Sequence, residues 1–314
     1  MTNSVQPKLI IHGGAGSSLK GKGGLEAVRQ SLHSILQQTY AALQGGCSAE
    51  EAVVLGCRLL EDEPRFNAGT GSVLQSDGQV RMSAALMSGE QQRFSGVINV
   101  GQVQHPIELA QQLQDSLDRV LSETGAALLA REHHVPLYNP LTDLRLQEWT
   151  LERKGDFDPD MASVIAEPVS AEAGRGTIGV VARDGQGRLA AGTSTGGKGF
   201  ERIGRVSDSA MPAGNYATSM AAVSCTGIGE DIIDECLAAR IVVRVTDGAT
   251  LETAFTRSCS EANQNSRDLG AIGLDHTGAI AWGKTSDILL AAYHTGTAAG
   301  DTLEDPIGLQ VSAC

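Results

Sequence analysis

The stretch Gly174-Arg175-Gly176-Thr177-Ile178-Gly179-Val180-Val181-Ala182-Arg183-Asp184 constrains this chain more than any other. Two glycines flank an arginine, and the chain then passes at once into an apolar run that reads as a buried strand. A threonine stands on the seam. Taken alone, Thr177 is a β-branched residue opening a strand, and the glycines form a turn. The preceding residues add weight to a second reading. Roughly forty of them lack helix or strand periodicity, and structureless segments of that length in compact chains are functional or disordered. A cut at Gly176–Thr177 leaves Thr177 as a new N-terminus at the edge of a core strand.

The chain of 314 residues is 41% hydrophobic, enough for a substantial core and unlike a disordered chain. Its 38 glycines call for many tight turns and close backbone approaches. A formal charge of −13 argues against nucleic-acid and anionic-membrane partners. Six scattered cysteines include no CxxC pair, which fits reduced thiols in a cytoplasmic protein and no zinc or redox motif. Residues 1–8 lack an apolar signal core, and no apolar run approaches the roughly 18 residues of a membrane span.

In chain order, residues 8–12 form an apolar strand that runs into Gly13-Gly14-Ala15-Gly16. Residues 16–22 resemble a P-loop as far as Lys22, but Gly23 stands where a magnesium-binding Ser or Thr is needed. Apolar positions from Leu25 to Leu43 mark a helix stopped by Gly45-Gly46. Ser48 with Glu51 forms a capping box for a second helix, ended before Pro64. Strands follow at 80–87 and 94–100, then helices at 106–117, with Pro106 in the first turn, and at 123–131. His133-His134 lacks an acidic partner at ligand spacing and reads as an exposed helix end. Residues 135–176 read as a flexible linker with one amphipathic turn at 144–151. Beyond it, strands at 178–182, 189–193, 221–225, 271–274 and 279–282 alternate with helices at 230–245 and 251–262. Asp184-Gly185 and His276-Thr277-Gly278 are hairpin turns. A sheet sandwich with helices outside fits this order.

A threonine hydroxyl is a weak nucleophile until a base takes its proton. A free α-amine, titrating near pH 8, is such a base. Thr177 at an N-terminus therefore unites nucleophile and base, and the same hydroxyl can first attack the Gly176 carbonyl. Downstream lie three glycine-rich segments: Gly192-Thr193-Ser194-Thr195-Gly196-Gly197, Gly204-Arg205-Val206-Ser207-Asp208-Ser209, and Ser224-Cys225-Thr226-Gly227-Ile228-Gly229-Glu230. With His12-Gly13-Gly14-Ala15-Gly16 and Phe66-Asn67-Ala68-Gly69, this set resembles the plant-type L-asparaginase/isoaspartyl peptidase family of N-terminal-nucleophile hydrolases. The resemblance covers most of the chain and is weakest in the linker and after Trp282.

The resemblance implies an α+β fold, a four-layer αββα sandwich cleaved into an α subunit (1–176) and a β subunit (177–314) that together form one domain. It further implies an (αβ)2 heterotetramer acting on L-asparagine and β-aspartyl dipeptides without a catalytic cofactor. Thr177 takes the nucleophile's place, and Thr195 matches the threonine beside it. Thr226 and Asn67 match the groups around the oxyanion. Arg205, Asp208, Gly227 and Gly229 match the substrate-binding positions. A structural sodium is expected on backbone carbonyls of the loop at 60–70, from Leu60, Glu61, Glu63, Phe66, Ala68 and Thr70. Ser83 and Ser88 depart from the family, which commonly has aspartates there. Three other readings stand beside this one: a glycosylasparaginase-like amidase, a nucleotide-binding phosphotransferase using residues 16–22, and a relative that binds an amino acid without turnover.

Overall fold

The computed structural model describes residues 5–16, 19, 22–154, 176–304 and 309–312. Two kinds of periodicity shape it: apolar stripes that make helices, and short runs buried on both faces that make strands. Strand β1 (Lys8–Gly16) is followed by helices α1 (Leu25–Gln44) and α2 (Ala49–Glu61), strands β2 (Met82–Ser88) and β3 (Arg93–Val100), helix α3 (Pro106–Gln112), strand β4 (Val120–Ser122), and helices α4 (Glu123–Glu132) and α5 (Asp143–Lys154). After the junction come β5 (Ile178–Arg183), β6 (Leu189–Thr195), β7 (Asn215–Ala217), β8 (Ala221–Gly227), α6 (Gly229–Glu235), α7 (Leu237–Thr246), α8 (Leu251–Gln264), β9 (Leu269–Asp275), β10 (Ile280–Lys284), β11 (Ile288–His294), β12 (Ala299–Asp301) and β13 (Leu309–Ser312).

The strands form an eight-stranded sheet in the order β12-β11-β1-β5-β6-β2-β3-β4 and a five-stranded sheet in the order β13-β10-β9-β8-β7. Every pairing is antiparallel except β3 with β4. One core lies between the larger sheet and α1 to α4, a second between the smaller sheet and α6 to α8. The third holds Ile10, Val181, Ala191, Ala222 and Ile272, and seals the two sheets against each other. Side chains alternate across a strand. In β5, Ile178, Val180 and Ala182 therefore face the helices, while Val181 faces the other sheet.

Local signals account for some helix starts. The Ser48–Glu51 capping box is complete, with Ser48 Oγ accepting the Glu51 N–H and Glu51 accepting the Ser48 N–H. Pro106 opens α3, and His133 and His134 are exposed at the end of α4.

Three readings change. The helix expected over 230–245 is broken at Cys236, which adopts φ 46°. Tertiary bonds compete there: Ala238 N–H donates to Ala213 O and Ala239 N–H to Pro212 O, so the chain restarts as α7. The glycines after His12 are part of β1, which runs on to Gly16 with a bulge between His12 and Ala15. Within the expected linker, the amphipathic turn is the helix α5. Arg145 Nε donates to Gly71 O at 2.7 Å and Trp149 Nε1 to Gln75 O at 3.0 Å, so α5 is docked on the molecule. The rest of that segment, 155–175, lies outside the described residues.

Candidate active site

The alternation that places Val181 between the sheets places Thr177 there too, because both are odd-numbered positions at or beside β5. In β6, Ala191 faces the other sheet, so Thr193 and Thr195 do as well. In β8, Ala222 does so, and hence Ser224 and Thr226. Four threonines, at 177, 193, 195 and 226, thus share one interface between two sheets.

Thr177 is 8% exposed, and its hydroxyl donates to Thr195 Oγ1 at 3.0 Å. Thr195 Oγ1 also accepts the Gly197 N–H at 3.1 Å. The Gly176 carbonyl, on the other side of the junction, accepts the Asn67 backbone N–H at 3.0 Å. Asn67 acts as a clamp: its own carbonyl accepts the Gly196 N–H, its Oδ1 accepts the Val73 N–H, and its Nδ2 donates to Gly197 O at 2.6 Å. Its main chain thus touches the Gly176 carbonyl, while these side-chain bonds shape the loop. Thr226 Oγ1 accepts the Ala15 N–H at 3.1 Å, which ties β8 to the glycine-rich end of β1. Gly14 in that segment has φ 121°, and a Cβ there would stand 2.6 Å from Gly176 Cα. Glycine at 14 lets β1 lie directly on the junction.

Arg205 and Asp208 form the second part of the site. Arg205 Nε and Nη2 donate to the two Glu230 oxygens at 2.8 and 3.0 Å, and Nη1 donates to Glu201 at 2.8 Å. Asp208 is 3% exposed; its Oδ1 accepts from Ser207 Oγ, and among the described residues its Oδ2 has no hydrogen-bond partner. Burial raises its pKa to about 6, against the pull of Arg205. Burial acts the same way on Glu230, but Arg205 outweighs it and holds that carboxyl down to about 2. Gly229 opens α6 against this pair, and a Cβ on it would lie 2.6 Å from Arg205 Nη2 and 2.7 Å from Asp208 Oδ1. Gly227, at φ 129°, lets β8 close on Leu269, whose Cα a Cβ would meet at 2.6 Å.

Ser83 and Ser88 have structural partners. Ser83 Oγ accepts the Asn99 N–H, and Asn99 Nδ2 holds Arg205 O at 3.0 Å. Ser88 Oγ accepts the Gln91 N–H in the β2–β3 turn.

Several neighbours of the site escape the sequence reading. Glu201 and Glu230 are acidic residues flanking Arg205, and the only signal for Glu201 is its i,i+4 spacing. His12 is fully buried, with Nε2 3.0 Å from Ser224 Oγ, which lies 2.7 Å from Thr193 Oγ1. Burial lowers the His12 pKa to about 3, with the Thr177 backbone opposing weakly, so the ring is neutral. Lys22 is 4% exposed and donates to Arg65 O at 2.9 Å, with its amine 5.7 Å above the centre of the Phe66 ring. That placement, against a carbonyl in the interior, is not that of a P-loop lysine.

The loop after α2 turns back on itself. Glu61 O accepts the Thr70 N–H at 2.7 Å, Leu60 O the Glu63 N–H, and Glu63 O the Phe66 N–H. A Cβ on Gly71 would stand 2.5 Å from Pro64 O and 3.0 Å from Phe66 O. Glycine at 71, with φ 94°, lets these two carbonyls lie this close to its backbone. Among the described residues, no group of three or more His, Cys, Asp or Glu side chains is placed to hold a metal.

Comparison with known proteins adds to this geometry. A family model described as asparaginase matches residues 5–304. The chain is 69% identical to an isoaspartyl peptidase/L-asparaginase of Nostoc sp., over 100% of this chain and 99% of the relative. It is 67% identical to one of Synechocystis sp., over 95% and 91% of the two chains. With a plant-type L-asparaginase of Pyrococcus horikoshii it shares 34% identity, over 95% and 98%.

Proposed function

The chain belongs to the asparaginase family, and from that premise we propose that it hydrolyses β-aspartyl dipeptides and L-asparagine through a threonine nucleophile freed by its own cleavage at Gly176–Thr177. The observation that carries this reading is the junction itself: the Thr177 hydroxyl rests on Thr195 Oγ1, and the Gly176 carbonyl rests on the Asn67 N–H.

In the processing step, Thr177 Oγ attacks the Gly176 carbonyl carbon, and the C–N bond breaks as the nitrogen takes the hydroxyl proton. Water then hydrolyses the ester. The products are a Gly176 carboxylate and a Thr177 with free hydroxyl and amine. In turnover, that amine accepts the hydroxyl proton as Oγ attacks the β-carbonyl of the substrate. Ammonia or an amino acid leaves, and water releases aspartate from the Thr177 ester. Thr226 and Asn67 surround the oxyanion, where a good donor contributes about 3–4 kcal/mol.

Arg205 takes the substrate α-carboxylate and Asp208 its α-ammonium. A guanidinium pairs a carboxylate through two parallel hydrogen bonds, and the unpartnered Asp208 Oδ2 is an acceptor awaiting a donor. Both substrates present the same aspartyl template; glutamine carries its carbonyl one methylene too far. A sodium ion on the carbonyls of the loop at 60–70 would brace Asn67, and two cleaved units associate as (αβ)2. N-terminal sequencing of purified protein, with ammonia and aspartate assays, tests the whole reading. A second N-terminus at Thr177 and release of aspartate from β-aspartyl but not α-aspartyl dipeptides are expected. Thr177→Ala should leave a folded, intact and inactive chain; equal processing in that variant rules the mechanism out.

A further inference from the structure

Lys22 has no part in the chemistry above, yet its amine lies against the residue that is cut. A Cβ built on Gly176 would stand 3.0 Å from Lys22 Nζ and 3.1 Å from the Asn67 nitrogen. The two nitrogens thus both lie close to where a Gly176 Cβ would stand. Asn67 donates to the carbonyl. Burial lowers the Lys22 pKa to about 7, so the amine is part ammonium at neutral pH; as an ammonium it has three N–H donors, and among the described residues its one acceptor is Arg65 O. The remaining groups around the amine are the Phe66 ring and the more distant charges of Arg145 and Glu148, which are paired with each other at 2.9 Å. Burying an amine with donors to spare is costly unless a partner arrives.

Cleavage supplies one. Gly176 carries no charge in the intact chain, becomes an oxyanion in the tetrahedral intermediate, and ends as a carboxylate. We propose that Lys22 is a positioning residue of the cleavage step, held by Arg65 O so that its ammonium neutralises the negative charge that develops on Gly176. It then remains as the counter-ion of the new carboxylate. This rests on the self-cleavage reading. Lys22 gains and loses no atoms: the Thr177 hydroxyl proton passes to the departing nitrogen, and water supplies the oxygen of the carboxylate.

The test is the rate at which freshly translated chain, in a cell-free system, yields fragments of 176 and 138 residues. Lys22→Gln keeps a donor for Arg65 O but removes the charge. It should cleave about a hundredfold more slowly, the scale of losing one oxyanion donor, at an unchanged melting temperature. Lys22→Met is the second neutral variant and should behave alike, while Lys22→Arg restores the charge and should recover most of the rate. Wild-type rates in Lys22→Gln or Lys22→Met overturn the proposal. Equal slowing in Lys22→Gln and Lys22→Arg also overturns it, since packing rather than charge would then be what matters. A wild-type chain that stays intact overturns the self-cleavage reading and this proposal with it.

Discussion

At the scale of single residues, Asp208 is in conflict with its own folding. Its carboxyl titrates near 6 in the folded chain against 3.8 ordinarily, chiefly because it is buried. Between about pH 4 and pH 6 the folded chain keeps a proton that the unfolded chain has lost, so folding stability falls as pH rises through that window. Above it the carboxylate costs the fold on the order of 3 kcal/mol. Asp208→Asn should therefore melt at a higher temperature than wild type at pH 7, and the gain should shrink toward pH 4. The same change should abolish substrate binding, because an ammonium needs the carboxylate. In the wild type, kcat/KM should decline as pH falls through about 6. Calorimetry and initial rates across that range check both, and an Asp208→Asn protein that is less stable at pH 7 contradicts the argument. Arg205 has no such conflict, since Glu201 and Glu230 take three of its five N–H donors. A substrate carboxylate has to share or displace Glu230, the more exposed of the two.

At the scale of elements, the site depends on the alternation of strands and on glycines that let elements touch. The α6 start is the sharpest case, since Gly229 presses on both Arg205 and Asp208. A methyl there collides with the charged ends proposed to hold the substrate, while α6 itself accepts alanine readily. Gly229→Ala should raise KM at least tenfold, a loss of about 1.4 kcal/mol, with a melting temperature close to wild type. An unchanged KM would show that the pair is free to move aside. Helix α5 is an element of the other kind: its apolar pattern is weak, yet Arg145 and Trp149 attach it to the loop at 71–75 that follows Asn67.

At the scale of the whole molecule, three cores make the two halves of the chain inseparable. The sheet core between layers mixes residues from both sides of the junction, Ile10 and Met87 with Val181 and Ile272 among them. In the larger sheet, β1 and β2 from the first half flank β5 and β6 from the second. A cut at Gly176–Thr177 should therefore leave fragments of 176 and 138 residues that co-purify in native conditions and unfold together. Among the described residues no disulfide contributes to that cohesion, since Cys47, Cys57, Cys225, Cys236 and Cys259 are free. The melting temperature should be the same with and without a reductant; a drop of several degrees on reduction would reveal a cross-link. No helix among the described residues is long and apolar enough to cross a membrane.

Local chemistry was legible in the order of residues. The capping box of α2, the proline of α3, the hairpin turn at Asp184 and the apolar strand after Thr177 all rest on neighbours within a few positions, and such signals survive without the rest of the molecule. The family motifs placed Thr177, Thr195, Arg205 and Asp208 in one order along the chain. Only the tertiary structure decided what touches what. Cys236 breaks a helix because the loop at Pro212 and Ala213 offers its carbonyls to the next turn. Lys22, glycine-flanked and reading as part of a failed phosphate loop, meets Gly176 from 154 residues away in sequence. Glu201 and His12 gain their meaning from burial, and Glu230 from a partner, Arg205, that no spacing announces. Strand alternation is periodic and therefore readable, but which strand lies beside which, and what a buried charge finds there, depends on how the two sheets close on each other.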